Sequence, residues 1–116
     1  NLGESVTFSG FVNPIEAMGR SDMIVQLSVW ENCSYTLLDA KAAGLKTVAT
    51  AVGGNPEILG ADELVDRQSA TLTQDVLQAM RAQLQKDESE PFTWISNEQM
   101  AAQTVDIYTR VLRGGR

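Results

Sequence analysis

Two acids, Glu31 and Asp39, stand eight positions apart across a stretch that closes an apolar run and opens a predicted helix. Between them lie the polar residues Asn32, Ser34, Tyr35 and Thr36, and farther on comes the turn Gly53-Gly54-Asn55-Pro56-Glu57. A helix start leaves backbone N–H groups unpaired and carries the positive end of the helix dipole, so the amides of roughly Ser34 to Leu37 can cradle a diphosphate. Glu31 falls before the helix, on one side of that anion site. Asp39 falls one turn in, at ~1.5 Å rise per residue, on the other. Neither carboxylate needs to touch phosphate. Each is placed to accept hydrogen bonds from flanking hydroxyls, and such charge-assisted bonds are the stronger class. The combination points to a nucleotide-sugar site.

Each part also has a plainer reading. Glu31 near a helix start favours the dipole whatever its chemistry. Gly53-Gly54 can be a simple turn before a helix begun by Pro56. Trp30 suits packing better than stacking, and Cys33 has no base to activate it. The order of the parts carries the argument, because no single plain reading accounts for all of them.

The elements that must position these residues follow from local pattern. Val6–Ser9, closed by Gly10, reads as a short strand. Asn13-Pro14 starts a helical turn through Ile15 to Met18. Met23–Ser28 is nearly continuous apolar, as in a strand buried on both faces. A helix is expected over Tyr35–Ala43, with Leu37, Leu38, Ala42 and Ala43 inward and Gly44 ending it. Thr47–Thr50 is the next strand, Pro56–Leu59 a short helix and Glu63–Val65 a last short strand. Beyond them, Thr71–Lys86 carries Leu72, Val76, Leu77, Met80 and Leu84 at helical spacing. Asp87–Pro91 is an acidic break. Asn97 is expected to cap a final helix with Met100, Ala101, Val105, Tyr108 and Leu112 along one stripe and Gly114-Gly115 beyond its end. Strands alternating with helices imply parallel βαβ units, so the class is α/β.

Composition narrows the function classes. At 116 residues the chain suits one domain, and 43% apolar with 21% charged residues is ordinary for a globular protein. Nine Lys and Arg against fifteen Asp and Glu give a net charge of -6, which disfavours nucleic acid and anionic lipid as partners. Arg110, Arg113 and Arg116 make the C-terminal end locally basic, where a helix C-terminus favours positive charge. Cys33 is the sole cysteine, which suits a reducing compartment, and a cytoplasmic location is expected. There is no histidine, which removes Ser-His and Cys-His nucleophilic sites and most zinc sites within the chain. No apolar run approaches the ~20 residues that span a bilayer.

The segment resembles the donor-binding core of the retaining glycosyltransferases of the family-4 type (glycosyl transferases group 1), which have the GT-B fold. That family's mark is Glu, seven residues, then Glu, followed by an Ala-Met-Ala-x-Gly-x-Pro-Val-Val-Ala-like run and a Gly-Gly-x-Pro-Glu turn. This chain has Glu31, seven residues, Asp39, then Ala40 through Thr50, then Gly53 to Glu57. Val6-Thr7-Phe8-Ser9-Gly10 is similar to the family's Val-x-Phe-x-Gly strand. The resemblance covers about residues 2 to 65. It implies a Rossmann-like parallel sheet with flanking helices, truncated at its N-terminal side, in a chain forming the C-terminal part of a donor-binding domain, with C-terminal helices from about 71 to 113.

The resemblance also implies roles. Glu31 is the residue near catalysis, facing the transferred sugar and stabilising charge at the reacting carbon. Asp39, one methylene shorter than the family's glutamate, takes the ribose hydroxyls, directly or through water. The amides around Ser34 to Thr36, with Asn32 beside them, hold the diphosphate, and Gly53 and Gly54 line the pocket. Ser34 fills a slot usually Gly or Pro, which would tighten the phosphate loop. No metal and no cofactor are implied. The partners implied are a nucleoside-diphosphate sugar and an acceptor-binding N-terminal domain outside this chain; the parent can be membrane-peripheral. The family's phosphate-neutralising Arg and Lys have no counterpart here, so the chain alone is expected to be inactive. Two other functions stay open: a nucleotide-sugar epimerase of the same fold, and a non-catalytic packing or assembly module. In the usual strand order the absent strands would sit between Val6–Ser9 and Met23–Ser28, so either a rearranged sheet or a homo-oligomer through exposed edges is expected.

Overall fold

The computed structural model describes residues 2–87 and 91–114. After a 3-10 turn at Leu2–Glu4 the elements run α1 (Pro14–Met18), β1 (Met23–Gln26), α2 (Tyr35–Ala42), β2 (Lys46–Thr50), α3 (Asn55–Ile58), β3 (Leu64–Val65), α4 (Leu72–Leu84) and α5 (Asn97–Gly114). The three strands form one parallel sheet in the order β1-β2-β3, with Val25 opposite Val48 and Thr50 opposite Val65. The α/β class and Rossmann-like arrangement expected of the sequence are therefore present.

Alternation along β2 builds the layers. Ala49 joins Leu37, Ile58 and Leu59 on the face covered by α2 and α3, with Ile24, Leu38, Leu64 and Phe92 packed at the margin. Val48 points the other way, against Val65 and Val76, with Met23, Leu72, Ala79 and Met80 around them. Successive side chains of a strand face opposite ways, so one central strand supplies both cores.

Local chemistry sets the ends. Asn13 Oδ1 accepts from the N–H of Ile15 at 2.9 Å, leaving Pro14 in the first turn where its missing N–H costs nothing. α2 closes in a Schellman arrangement: Gly44 adopts φ 74°, its N–H donates to the Lys41 carbonyl, and the Leu45 N–H donates to that of Ala40.

Several expectations are corrected. Val6–Ser9 is not a strand: it pairs with no strand of the sheet, a lone strand does not hold by itself, and Phe8 and Phe11 are fully exposed. The sheet is not rearranged to compensate, and the outer side of β1 is unpaired among the described residues. That is why β1 stops at Gln26 and is only half-buried, not covered on both faces. On α2 the inward residues are Leu37 and Ala40, with Leu38 half-buried, while Ala42 and Ala43 are exposed. On α4, Val76 and Gln83 are buried and Leu77 and Leu84 exposed.

The cap of α5 is Ser96, not Asn97. Its Oγ accepts from the Gln99 N–H at 3.2 Å while Gln99 Oε1 accepts from the Ser96 N–H at 2.9 Å, a capping box. α5 has no buried residue, and its Arg110 pairs with Asp106 one turn back. The radius of gyration of 17.8 Å exceeds the ~13 Å of a compact chain this long, so α5 does not fold back onto the sheet. The core of the acidic break (residues 88–90), Gly115 and Arg116 lie outside the described residues.

Candidate functional site

The Glu31 loop begins where β1 ends. Alternation puts Gln26 on the same face as Ile24, the face that α2 covers, and its carboxamide reaches two partners there. Gln26 Nε2 donates to Glu31 Oε1 at 2.9 Å, and Gln26 Oε1 accepts from Ser34 Oγ at 2.9 Å. Ser28 Oγ donates to the same Glu31 oxygen at 2.7 Å. Ser34 is buried and caps α2, its Oγ accepting from the Leu37 N–H at 3.2 Å. One side of Glu31 is thus anchored twice. Its other oxygen, Oε2, has no hydrogen-bond partner among the described residues.

The Gly-Gly turn locks the loop from below. Gly53 adopts φ 52°, and a Cβ built on it would stand 1.5 Å from the Glu31 carbonyl oxygen. A Cβ on Gly54 would stand 2.1 Å from that of Asn32. The Gly54 N–H donates to the Glu31 carbonyl at 3.1 Å. No other residue type allows so close an approach of two backbones. Thr50 Oγ1 donates to the Ser28 carbonyl at 2.7 Å, and the fully buried Asn55 donates through Nδ2 to the Thr50 carbonyl at 2.9 Å. The end of β2 and the start of α3 therefore brace the segment that carries Glu31.

The structure brings Glu31, Asn32, Ser34, Gly53 and Gly54 together at the carboxyl ends of the strands. Tyr35 and Thr36 form the first turn of α2 with exposed side chains, and their N–H groups have no partner among the described residues. The Leu37 N–H is taken by Ser34, so the anion-ready amides are fewer than the sequence suggested, and Ser34 closes the cap and does not merely narrow the loop. Asp39 stands apart. It lines an apolar groove with Pro14, Ile15, Met18 and Leu45, and its carboxylate makes no hydrogen bond among the described residues. Trp30 is exposed, not packed.

Gln26 and Ser28 are the site residues that sequence reasoning passed over. Their signal was available: two polar side chains in the run Met23–Val29 are costly beside a core unless bonded.

At the opposite, amino end of the strands a cavity of about 370 Å³ is lined by Lys41, Glu63, Asp62, Lys86, Phe92 and Trp94 among others. Lys41 Nζ lies 2.8 Å from Glu63 Oε1 with both side chains nearly buried. Burial pushes the Glu63 carboxyl up, but the bonds from Lys41, Thr47 and the Gly60 N–H outweigh it and hold the group below the ordinary glutamate range. Asp62 is lowered chiefly by its bond from Lys86, helped by Gln83. Lys41 pairs with Glu63 and Lys86 with Asp62, while Lys46 Nζ donates to the Lys86 carbonyl at 2.9 Å, so these groups form a structural network.

The family model described as glycosyl transferases group 1 matches residues 1–86. The chain belongs to the group 1 glycosyl transferases. No curated protein and no solved structure matches it significantly. As a group 1 glycosyl transferase domain, it places the loop of its motif at the carboxyl edge of a parallel sheet, where open α/β sheets bind ligands. Among the described residues of this glycosyl transferase no helix is long and apolar enough to cross a membrane, and no cluster of three or more His, Cys, Asp or Glu is arranged to hold a metal.

Proposed function

We propose that this chain binds a nucleoside-diphosphate sugar for transfer to an acceptor hydroxyl with retention, as the donor-binding part of a two-lobed enzyme whose other lobe binds the acceptor. The observation that carries the reading is Glu31: Oε1 is held by Gln26 and Ser28, while Oε2 is left to accept from a ligand hydroxyl. In this reading Glu31 faces the transferred sugar and stabilises positive charge as it develops at the reacting carbon. The amides of Tyr35 and Thr36 hold the diphosphate, with the α2 dipole behind them. Asn32 and the Gly53-Gly54 turn shape the floor. Asp39, set apart from Glu31 in the groove beside Ile15, touches no part of the Glu31 network and reaches the ribose hydroxyls only through water in this reading. The phosphate-neutralising cations come from outside residues 1–116, so the chain alone holds donor without turning it over.

Titration calorimetry tests this. The chain should bind a nucleoside-diphosphate sugar more tightly than the bare nucleoside diphosphate, and Glu31→Gln should abolish that difference. A difference that survives Glu31→Gln would overturn the assignment.

A second reading is assembly through a second copy. It is supported by the outer side of β1, unpaired among the described residues, and by the exposed Val6–Ser9 segment, which has the same length as β1. A chain that sediments as a monomer across micromolar to millimolar concentration would end it.

A further inference from the structure

Gln26 is out of character with its neighbours. It ends the strand Met23-Ile24-Val25-Gln26, three apolar residues and then an amide, on the face that α2 covers. A side-chain amide has two donors and one acceptor oxygen, so it can serve two different partners only with its ends the right way round. Here the order is dictated by the partners. A carboxylate accepts and does not donate, so the Glu31 side must receive the NH₂ group. The Ser34 hydroxyl already accepts from the Leu37 N–H, so its own proton is directed to the Gln26 oxygen. The result is one continuous run of hydrogen bonds: Leu37 N–H to Ser34 Oγ, Ser34 Oγ–H to Gln26 Oε1, Gln26 Nε2–H to Glu31 Oε1.

No other residue type closes that run. Asn is a methylene too short to meet both partners. Glu would set a second carboxylate against Glu31, and Met or Leu would fill the space and bond to neither. Ser28, the other donor to Glu31 Oε1, makes no link to the helix.

We propose that Gln26 is a positioning residue of the donor site. It fixes the rotamer of Glu31 and couples the state of that carboxylate to the N-cap of α2, whose first-turn amides lie on the other side of the same ligand. Sugar contact at one end and diphosphate contact at the other then reinforce each other through a single side chain. The functional half of this inference rests on the donor reading above; the coupling itself does not.

Two measurements on the full 116-residue chain separate the two halves. In ¹⁵N NMR spectra, Glu31→Gln is expected to shift the Leu37 amide resonance, and the same substitution made in a Gln26→Met background is expected to leave it largely in place, whereas Ser34→Thr, which keeps the hydroxyl, preserves the response. An equal shift in both backgrounds, or none in either, overturns the coupling. In calorimetry with uridine diphosphate, UDP-glucose, guanosine diphosphate and GDP-mannose as probes, Gln26→Met is expected to weaken the preferred sugar nucleotide about tenfold, the loss of one charge-assisted contact, with the matching diphosphate unchanged. Equal weakening of both overturns the positioning role and identifies a folding lesion. If Glu31→Gln changes neither affinity, the donor reading fails, and the NMR result alone decides whether Gln26 links Glu31 to the cap.

Discussion

Gly53 lies so close to Glu31 that a single added carbon on the glycine would stand 1.5 Å from the glutamate's carbonyl oxygen. The two residues are twenty-two positions apart, and their backbones touch because the turn after β2 is pressed under the loop after β1. The Gly-Gly pair of the motif is thus a mechanical seat for the Glu31 loop. Gly53→Ala is expected to cost about 2–4 kcal/mol, since it adds a left-handed backbone strain to a backbone clash that cannot relax cheaply. Gly54→Ala should lie in the same range. Gly10 is the control: it also has positive φ, at 63°, but a Cβ there meets nothing within 4 Å, so Gly10→Ala should cost only about 1 kcal/mol. Urea unfolding of the three variants checks the ranking.

Ser34 does two jobs with one hydroxyl. Ser34→Ala removes the cap of α2 and leaves the half-buried Gln26 oxygen without its donor, for an expected loss of about 1–2 kcal/mol. Ser34→Thr should recover most of it. Thermal unfolding followed by circular dichroism distinguishes them.

Asp39 offers a gain rather than a loss. If a water fills the missing methylene, Asp39→Glu should replace it with a direct bond and tighten nucleotide binding roughly fivefold, about 1 kcal/mol. Calorimetry against the bare nucleoside diphosphate reads this without reference to Glu31. Unchanged or weaker binding would remove Asp39 from the site.

Glu63 governs acid stability. Its folded carboxyl is held below its ordinary value of 4.5, so it binds protons less readily folded than unfolded. The stability it contributes is complete above about that pH and is lost as pH falls through the lower folded value. Asp62, lowered from 3.8 but largely exposed, adds little because solvent screens it. Glu63→Gln should cost about 3 kcal/mol at neutral pH by leaving the nearly buried Lys41 unpaired. It should also flatten the decline in unfolding midpoint between neutral pH and pH 3.

α5 buries nothing in this chain. Ending the chain at Ser96 should leave the unfolding free energy of the sheet and its helices within about 0.5 kcal/mol of the full chain. A larger loss, measured by urea unfolding at low concentration, would show that α5 has a packing partner.

Most of the fold was legible along the chain because it is written in local terms. The Asn13-Pro14 start and the Gly44 stop are matters of one residue's backbone or side chain, and α1 and α2 begin and end there or within one residue. Thr47–Thr50 was readable as a strand, but that it, and not Met23–Ser28, is the strand with two covered faces was decided by the sheet order. The cap of α5 was equally local, in Ser96-Asn97-Glu98-Gln99, but the competing Asn97 concealed it. Val6–Ser9 failed for the opposite reason: its composition is that of a strand, but a strand exists only with a neighbour, and that is decided by other parts of the chain.

The same division runs through the site. Sequence alone marked Glu31, the α2 start and the Gly53-Gly54 turn as candidates for one constellation, since their types and order are chain-local, and the family match over residues 1–86 spans them. Only the tertiary structure decided which of them meet. Parallel pairing of β1 with β2 carries Gly53 beneath Glu31, and strand alternation turns Gln26 toward Ser34 and not toward solvent. Helical rotation carries Asp39 away from that network into another groove. Spacing along a chain fixes candidates; hydrogen-bond direction and backbone contact, which depend on register between distant segments, choose among them.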